Sequence, residues 1–355
     1  MAKIIPGRFV ALFAGLCAGA CMPDGKLGAQ DYRYPPAVIA LQDSYNLPPA
    51  DAQSQVITAA AQHFLASLSP DQRAKVSFAF DDHAQRSHWT NLPHQSVPRH
   101  GLARRDLNRT QLAALDALLA AAFSEKGMQT IRWQLLSADQ LGRSDSGLYF
   151  VSFLGAPSTS APWMFQFGGQ HLALNVTVIG PDVSFSPMLT GGHPLHINDG
   201  GKAVYITAEE TAAAAALLNA LTPAQKQIAV QSASYRRLVL GPGTFGQSAP
   251  AQGIRGSDLT TAQKGLLIRL IETRLGVLNA DDFAAKMAQI RASLDATYFG
   301  WWGPQDPPGG AYFRVTGPAV VLEYAPQRLG GDLTDHAHNI YRDPENDYGA
   351  AWLGR

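Results

Sequence analysis

Residues 164–179 read Met-Phe-Gln-Phe-Gly-Gly-Gln-His-Leu-Ala-Leu-Asn-Val-Thr-Val-Ile, two apolar-rich runs that meet at Gly168-Gly169. In the second run, alternation with period two puts Leu172, Leu174, Val176 and Val178 on one face of a strand. His171, Ala173, Asn175 and Thr177 fall on the other. Two strands separated by a glycine turn read as neighbours in an antiparallel sheet. Working outward, Leu148 to Leu154 precedes them across Gly155-Ala156-Pro157, and Tyr312 to Val315, Ala319 to Tyr324 and Asp335 to Tyr341 return to strand character near the C-terminus. Helical spacing fills the blocks between: about 51–67, a helix running to about Lys126, another over about 128–140, Ala208 to Leu221 behind Thr207, and Asp281 to Leu294. Strands and helices segregated in this way predict an α+β fold, one large domain over 51–355 with a mainly antiparallel sheet and flanking helices.

A short phrase recurs four times: Leu68-Ser69-Pro70-Asp71-Gln72, Leu107-Asn108-Arg109-Thr110-Gln111, Leu221-Thr222-Pro223-Ala224-Gln225 and Leu259-Thr260-Thr261-Ala262-Gln263. Each puts Ser, Asn or Thr at an N-cap with Gln three residues later, the pattern of a capping box. The intervals from copy to copy are unequal, so the phrase reads as four helix starts and not as a repeat.

Of the 355 residues 46% are hydrophobic and only 16% charged, enough apolar surface for a sizeable core. Lys plus Arg and Asp plus Glu both number 28. With no basic stripe to track phosphates, nucleic acid is not an expected partner. Lys3 and Arg8 followed by an apolar run from Phe9 to Ala20 read as a signal peptide over 1–20, ending in the small residues Ala18-Gly19-Ala20. The run is shorter than a membrane span requires. Cys21 directly after it is a candidate lipid-anchor site, with Leu27-Gly28-Ala29 as an alternative cleavage site. The chain is therefore expected to be exported, with 21–50 as a linker or irregular wrap. Cys17 and Cys21 are the only cysteines, which leaves His, Asp and Glu as the ligand chemistry of the domain.

Asp335-His336-Ala337-His338 places two imidazoles on one face of a predicted strand, a geometry that can offer two ligands to one metal ion. His171 projects from the less apolar face of its own run. Glu323, between Leu322 and Tyr324, is a candidate ligand or general base just before the His pair. His193 and His196 fall in a Gly/Pro-flanked loop. His83, His88, His94 and His100 cluster with Arg86, Trp89 and Arg99 in a stretch that reads as a binding-site wall. No Gly-x-Ser-x-Gly elbow, nucleotide-binding glycine pattern or helical His-x-x-x-His pair is present.

Arg86-x-x-Trp89, Pro98-Arg99-His100-Gly101-Leu102, Gly169-Gln170-His171-Leu172-Ala173-Leu174-Asn175 and His336-Ala337-His338 leading into Arg342-Asp343-Pro344 occur in that order. Together they resemble the bacterial and fungal domain-of-unknown-function family numbered 3500, over about residues 60–350. The family's strand motif reads Gly-His-His-Leu-Ser-Leu-Asn, so Gln170 stands in place of one histidine. The resemblance therefore implies three motif histidines, His171, His336 and His338. Three ligands with an open position suit a catalytic zinc, with copper or iron as alternatives. The resulting expectation is an exported metal-dependent hydrolase, with Glu323 as ligand or base and Trp89, Arg99 and Asn175 holding a small-molecule substrate. The other reading is a non-catalytic binding protein in which the histidines form a hydrogen-bonded polar patch.

Overall fold

The computed structural model describes residues 46–142, 145–242, 249–328 and 331–352. The expected signal segment and all of 21–45 lie outside these residues. All four recurring phrases form complete capping boxes: Ser69, Asn108, Thr222 and Thr260 each accept the amide of the glutamine three residues on, whose side chain returns to the cap. Those glutamines also bond one another in pairs. Gln111 donates to Gln72 at 2.7 Å and Gln263 to Gln225 at 2.8 Å, each with the reverse bond as well. Thr222 follows Ser69 by 153 residues, and Thr260 follows Asn108 by 152. The four phrases are thus two copies of a pair. The four helix starts are as expected; the reading that they are not a repeat is corrected to an internal duplication, which unequal neighbouring intervals conceal.

The duplication extends through the chain. The first half runs α1 (Ala52–Ser67), α2 (Pro70–Val76), β1 (Ser77–Phe78), α3 (His83–Ser87), β2 (Leu102–Ala103), α4 (Arg109–Ala122) and α5 (Glu125–Leu141). It continues with β3 (Phe150–Leu154), β4 (Trp163–Gly169), β5 (Leu172–Ile179), β6 (Asp182–Ser184) and β7 (Met188–Gly192). A small hairpin, β8 (His196–Asp199) and β9 (Lys202–Tyr205), leads to the second half. There α6 (Ala208–Ala220), α7 (Pro223–Ala229), β10 (Val230–Ser232), β11 (Ile254–Arg255), α8 (Thr261–Leu275) and α9 (Ala280–Ala292) repeat the helical part. The strands β12 (Tyr298–Trp302), β13 (Tyr312–Thr316), β14 (Val321–Pro326) and β15 (Ala337–Arg342) close it. Gly101 and Gly253 mark the match locally. Both have left-handed φ (99° and 103°), and a side chain on either would strike the carbonyl of the adjacent strand, Val151 or Phe299.

Among the described residues the sheet has thirteen strands, with the main order β1-β3-β4-β5-β7-β15-β14-β13-β12-β10. Read from either end, the pairings repeat. A short parallel strand edges each half (β1 on β3, β10 on β12), and antiparallel pairing continues to the centre, where β7 meets β15. The expected α+β domain with a mainly antiparallel sheet is what the chain forms. No described helix is long and apolar enough to cross a membrane.

The boundaries differ from expectation where local chemistry intervenes. The helix expected to reach Lys126 stops at Ala122, because Phe123 leaves to bridge Leu278 and Ser124 caps the next helix through the amide of Gly127. Thr207 precedes α6 without a side-chain cap bond. The strand alternation predicted for 172–178 holds. Leu172, Leu174, Val176 and Val178 join the main core with buried helix residues such as Leu115, Leu118 and Leu267. Ala173 faces the other way, into a smaller cluster with Trp89, Met164, Leu189, Ile340 and Tyr348. This second face, covered by loops, carries the polar side chains of Gln166, Asn175, His338 and Glu323.

Candidate metal centre

His171 lies one residue before β5, in the turn Gln170-His171 between β4 and β5, with φ 59°. The expectation that it belongs to the strand alternation is corrected, since left-handed backbone turns the chain here and re-aims the ring. Sheet register explains where it goes. Ala173 pairs with Leu189 on β7, and Leu189 pairs with Ile340 on β15. One row further, toward the end of β5 that the turn of His171 precedes, His338 pairs with Gly191. Strands two apart stand roughly 9–10 Å from one another. Despite that spacing the rings of His171 and His338 meet, with centroids 5.1 Å apart. His336, just before β15, completes the group, with its Nε2 3.0 Å from Nε2 of His171.

One ligand atom from each of His171, His336 and His338 lies within 4.8 Å of the others, and all three residues are buried. Burial pushes the imidazoles down, that of His338 to about 3 and that of His336, with His338 and His193 adding to the effect, to about 2. His171 falls well below its ordinary value, first through burial and then through its histidine neighbours. Above mildly acidic pH all three are neutral, the form in which imidazole ligates a metal. A neutral imidazole has one N–H and one lone pair, and Nδ1 of His336 is buried with no partner among the described residues. Two nitrogens ligating one tetrahedral zinc at 2.0–2.1 Å would stand about 3.3 Å apart, close to the 3.0 Å between His171 and His336. The donor set, its protonation and its spacing fit a divalent ion.

The surroundings fix these rings. The Asn91 backbone carbonyl accepts the His171 amide at 3.3 Å, and its side-chain amide lies 3.2 Å from Nε2 of His338. The half-exposed His193 stacks on His336, with centroids 4.6 Å apart and planes 9° from parallel. Asn91 carried no sequence signal, since a lone Asn in a loop reads as turn chemistry.

Glu323 is not brought to the imidazoles. Its carboxylate accepts the amides of Val239 and Leu240, both at 2.7 Å, and the hydroxyl of Tyr312 at 2.6 Å. It pins the 239–240 segment over the second half of the sheet, in register with Ile340, and stands outside the ligand group. Trp89, Arg99 and Asn175 do come together, around a cavity of about 30 Å³, which is the space of a water and not of a substrate. Arg99 donates to the carbonyls of Thr90, Leu92 and Gly169, so it holds the loop to the start of the turn that carries His171. Asn175 bonds Gln166 and the Pro187 carbonyl, and Trp89 donates to the Tyr348 hydroxyl.

The other histidines have separate partners. His88 stacks on His100, His94 on Phe150, and His196 pairs with Asp335 at 3.0 Å. The segment after Asp343 is tied to the sheet. Asp347 pairs with Arg342 at 2.6 Å and accepts from Ser186, locking the chain end onto the sheet.

No curated protein and no solved structure matches the chain. Residues 50–350 match the family model described as "Protein of unknown function (DUF3500)". That match covers the duplicated sheet, its helices and all three clustered histidines, and the chain belongs to this family.

Proposed function

We propose that the protein is a metal-dependent hydrolase whose ion is held by His171, His336 and His338. The observation that supports this is the convergence of three buried, neutral imidazoles on one point, with no fourth protein ligand in the group among the described residues. Zinc held by three protein ligands supplies an acidified water and a Lewis acid at its open position. The chain's own contribution is to keep the imidazoles neutral by burial and to fix the turn of His171 through Asn91 and Arg99. Glu323 has no part in this reading, because its oxygens are committed to three donors. Imidazole also suits copper and iron, and metal analysis decides among the three ions.

Protein purified without a histidine tag should carry about one ion per chain by elemental analysis. The His336→Ala/His338→Ala variant should carry none while keeping its circular dichroism spectrum. Sub-stoichiometric metal in the wild type, or full occupancy in the double variant, overturns the assignment. Hydrolysis of an activated ester should then disappear on chelation and return with added Zn²⁺; hydrolysis indifferent to the chelator would sink the catalytic part.

A second reading draws on the same 3.0 Å contact, which is also a hydrogen bond between two neutral imidazoles. In that case the cluster is a polar patch of a binding protein, and the metal analysis comes out empty.

A further inference from the structure

Thr190 and Asn339 are paired neighbours of Gly191 and His338, and alternation turns their side chains to the opposite, helix-covered face. There they line a cavity of about 400 Å³ between α5, α8 and the start of α6. The volume falls in the range of small-molecule pockets, about 300–1,000 Å³. Two charged side chains are buried at its wall, Glu210 (7% exposed) and Arg274 (4% exposed). Among the described residues neither forms an ion pair. Glu210 accepts from the Asn339 amide at 2.7 Å, and Arg274 donates to the Thr190 hydroxyl at 2.6 Å.

The two lie within electrostatic reach of one another without a direct ion pair, and a buried charge without a direct partner is costly. Arg274 Nε and Gln134 Nε2 are buried donors without partners, and Asn339 Oδ1 is a buried acceptor without one. All three residues line the cavity. The cavity wall carries one carboxylate and one guanidinium, with Trp133 and Tyr205 as its aromatic part. We propose that this cavity binds a small zwitterion of the amino-acid type, its carboxylate facing Arg274 and Gln134 and its ammonium facing Glu210 and Asn339. The site lies across β7 and β15 from the imidazoles and does not depend on the metal assignment.

The test needs only the wild-type protein and a ligand series. Calorimetric titration with each of the protein amino acids should reveal saturable binding of at least one. The N-acetyl and carboxamide derivatives of the best binder, each lacking one of the two charges, should bind at least tenfold more weakly. Glu210→Gln should weaken the free amino acid at least tenfold while leaving the N-acetyl derivative unchanged. If that variant does not fold, Gln134→Leu should weaken the free acid and leave the carboxamide unchanged. No saturable binding by any amino acid, or equal binding of the free and blocked forms, overturns the proposal. Metal content is read in the same samples, and it should not change with any of these ligands.

Discussion

The two halves of this chain share an element order and a pairing scheme, yet they do different chemistry with them. The turn between β4 and β5 carries His171, and its counterpart between β13 and β14 carries Ala319. Gln166 and Asn175 form a neutral amide pair on the second face of the sheet (2.9 Å). In the other half the same rows hold Arg314 and Glu323, a buried guanidinium beside a buried carboxylate. The cavity beside α5 has aromatic walls, while that beside α9, about 610 Å³, is bordered by Asp182, Asp281, Asp282 and Asp343. A duplicated frame conserves what the backbone needs, capping boxes and close-approach glycines, and leaves the side chains above it to diverge. The imidazole cluster lies near the seam, where β7 and β15 join the halves, and draws one ligand from the first half and two from the second.

The largest expected effect tests that asymmetry directly. On the proposed metal reading His171→Ala removes one of three ligands and should lower metal affinity at least about 100-fold. Pro318→Ala in the counterpart turn should leave metal content unchanged. Equal effects in an elemental analysis of the two variants would break the comparison.

Next in size is the contrast between the polar rows. Glu323→Ala strands three donors in a buried site and should cost about 3–5 kcal/mol in urea unfolding. Asn175→Ala loses two neutral bonds and should cost about 1–3 kcal/mol. A larger cost at Asn175 would reverse the ranking.

The acidic cavity gives a pH signature. Burial raises the Asp282 carboxyl from its ordinary value of 3.8 to about 6, so its ionised form is disfavoured in the folded protein. Its favourable contribution is complete below about pH 4 and is lost as pH rises through about 6. Asp282→Asn should therefore leave stability little changed at pH 4 and raise it by about 2–3 kcal/mol at pH 7. A gain that does not grow with pH contradicts the shift.

The smallest effect tests the duplication itself. Ser69→Ala and Thr222→Ala occupy equivalent caps, and each should cost about 1 kcal/mol. The two thermal shifts should agree to within a few tenths of a kcal/mol once converted.

Patterns with a short period were legible in the sequence. Alternation over 172–178 gave the strand and its two faces, and each Leu-x-x-x-Gln phrase gave a helix start, because both are set by contacts within a few residues. His336 and His338 were singled out by their spacing on a strand and the set of three by motif resemblance, while the lack of cysteine in the domain left His, Asp and Glu as the ligand chemistry. What the tertiary structure decided were relations between distant segments. The pairing of Gln72 with Gln111 and of Gln225 with Gln263 turned four helix starts into a duplication. The left-handed turn at His171 and the pairing of β5, β7 and β15 brought together two rings that alternation alone would not. Glu323 looked like an acid beside a site, and only the arrival of Val239, Leu240 and Tyr312 showed its oxygens already committed. Local sequence fixes which way a side chain leaves its own strand; what it meets depends on register and on loops brought in from elsewhere, and no periodicity encodes them.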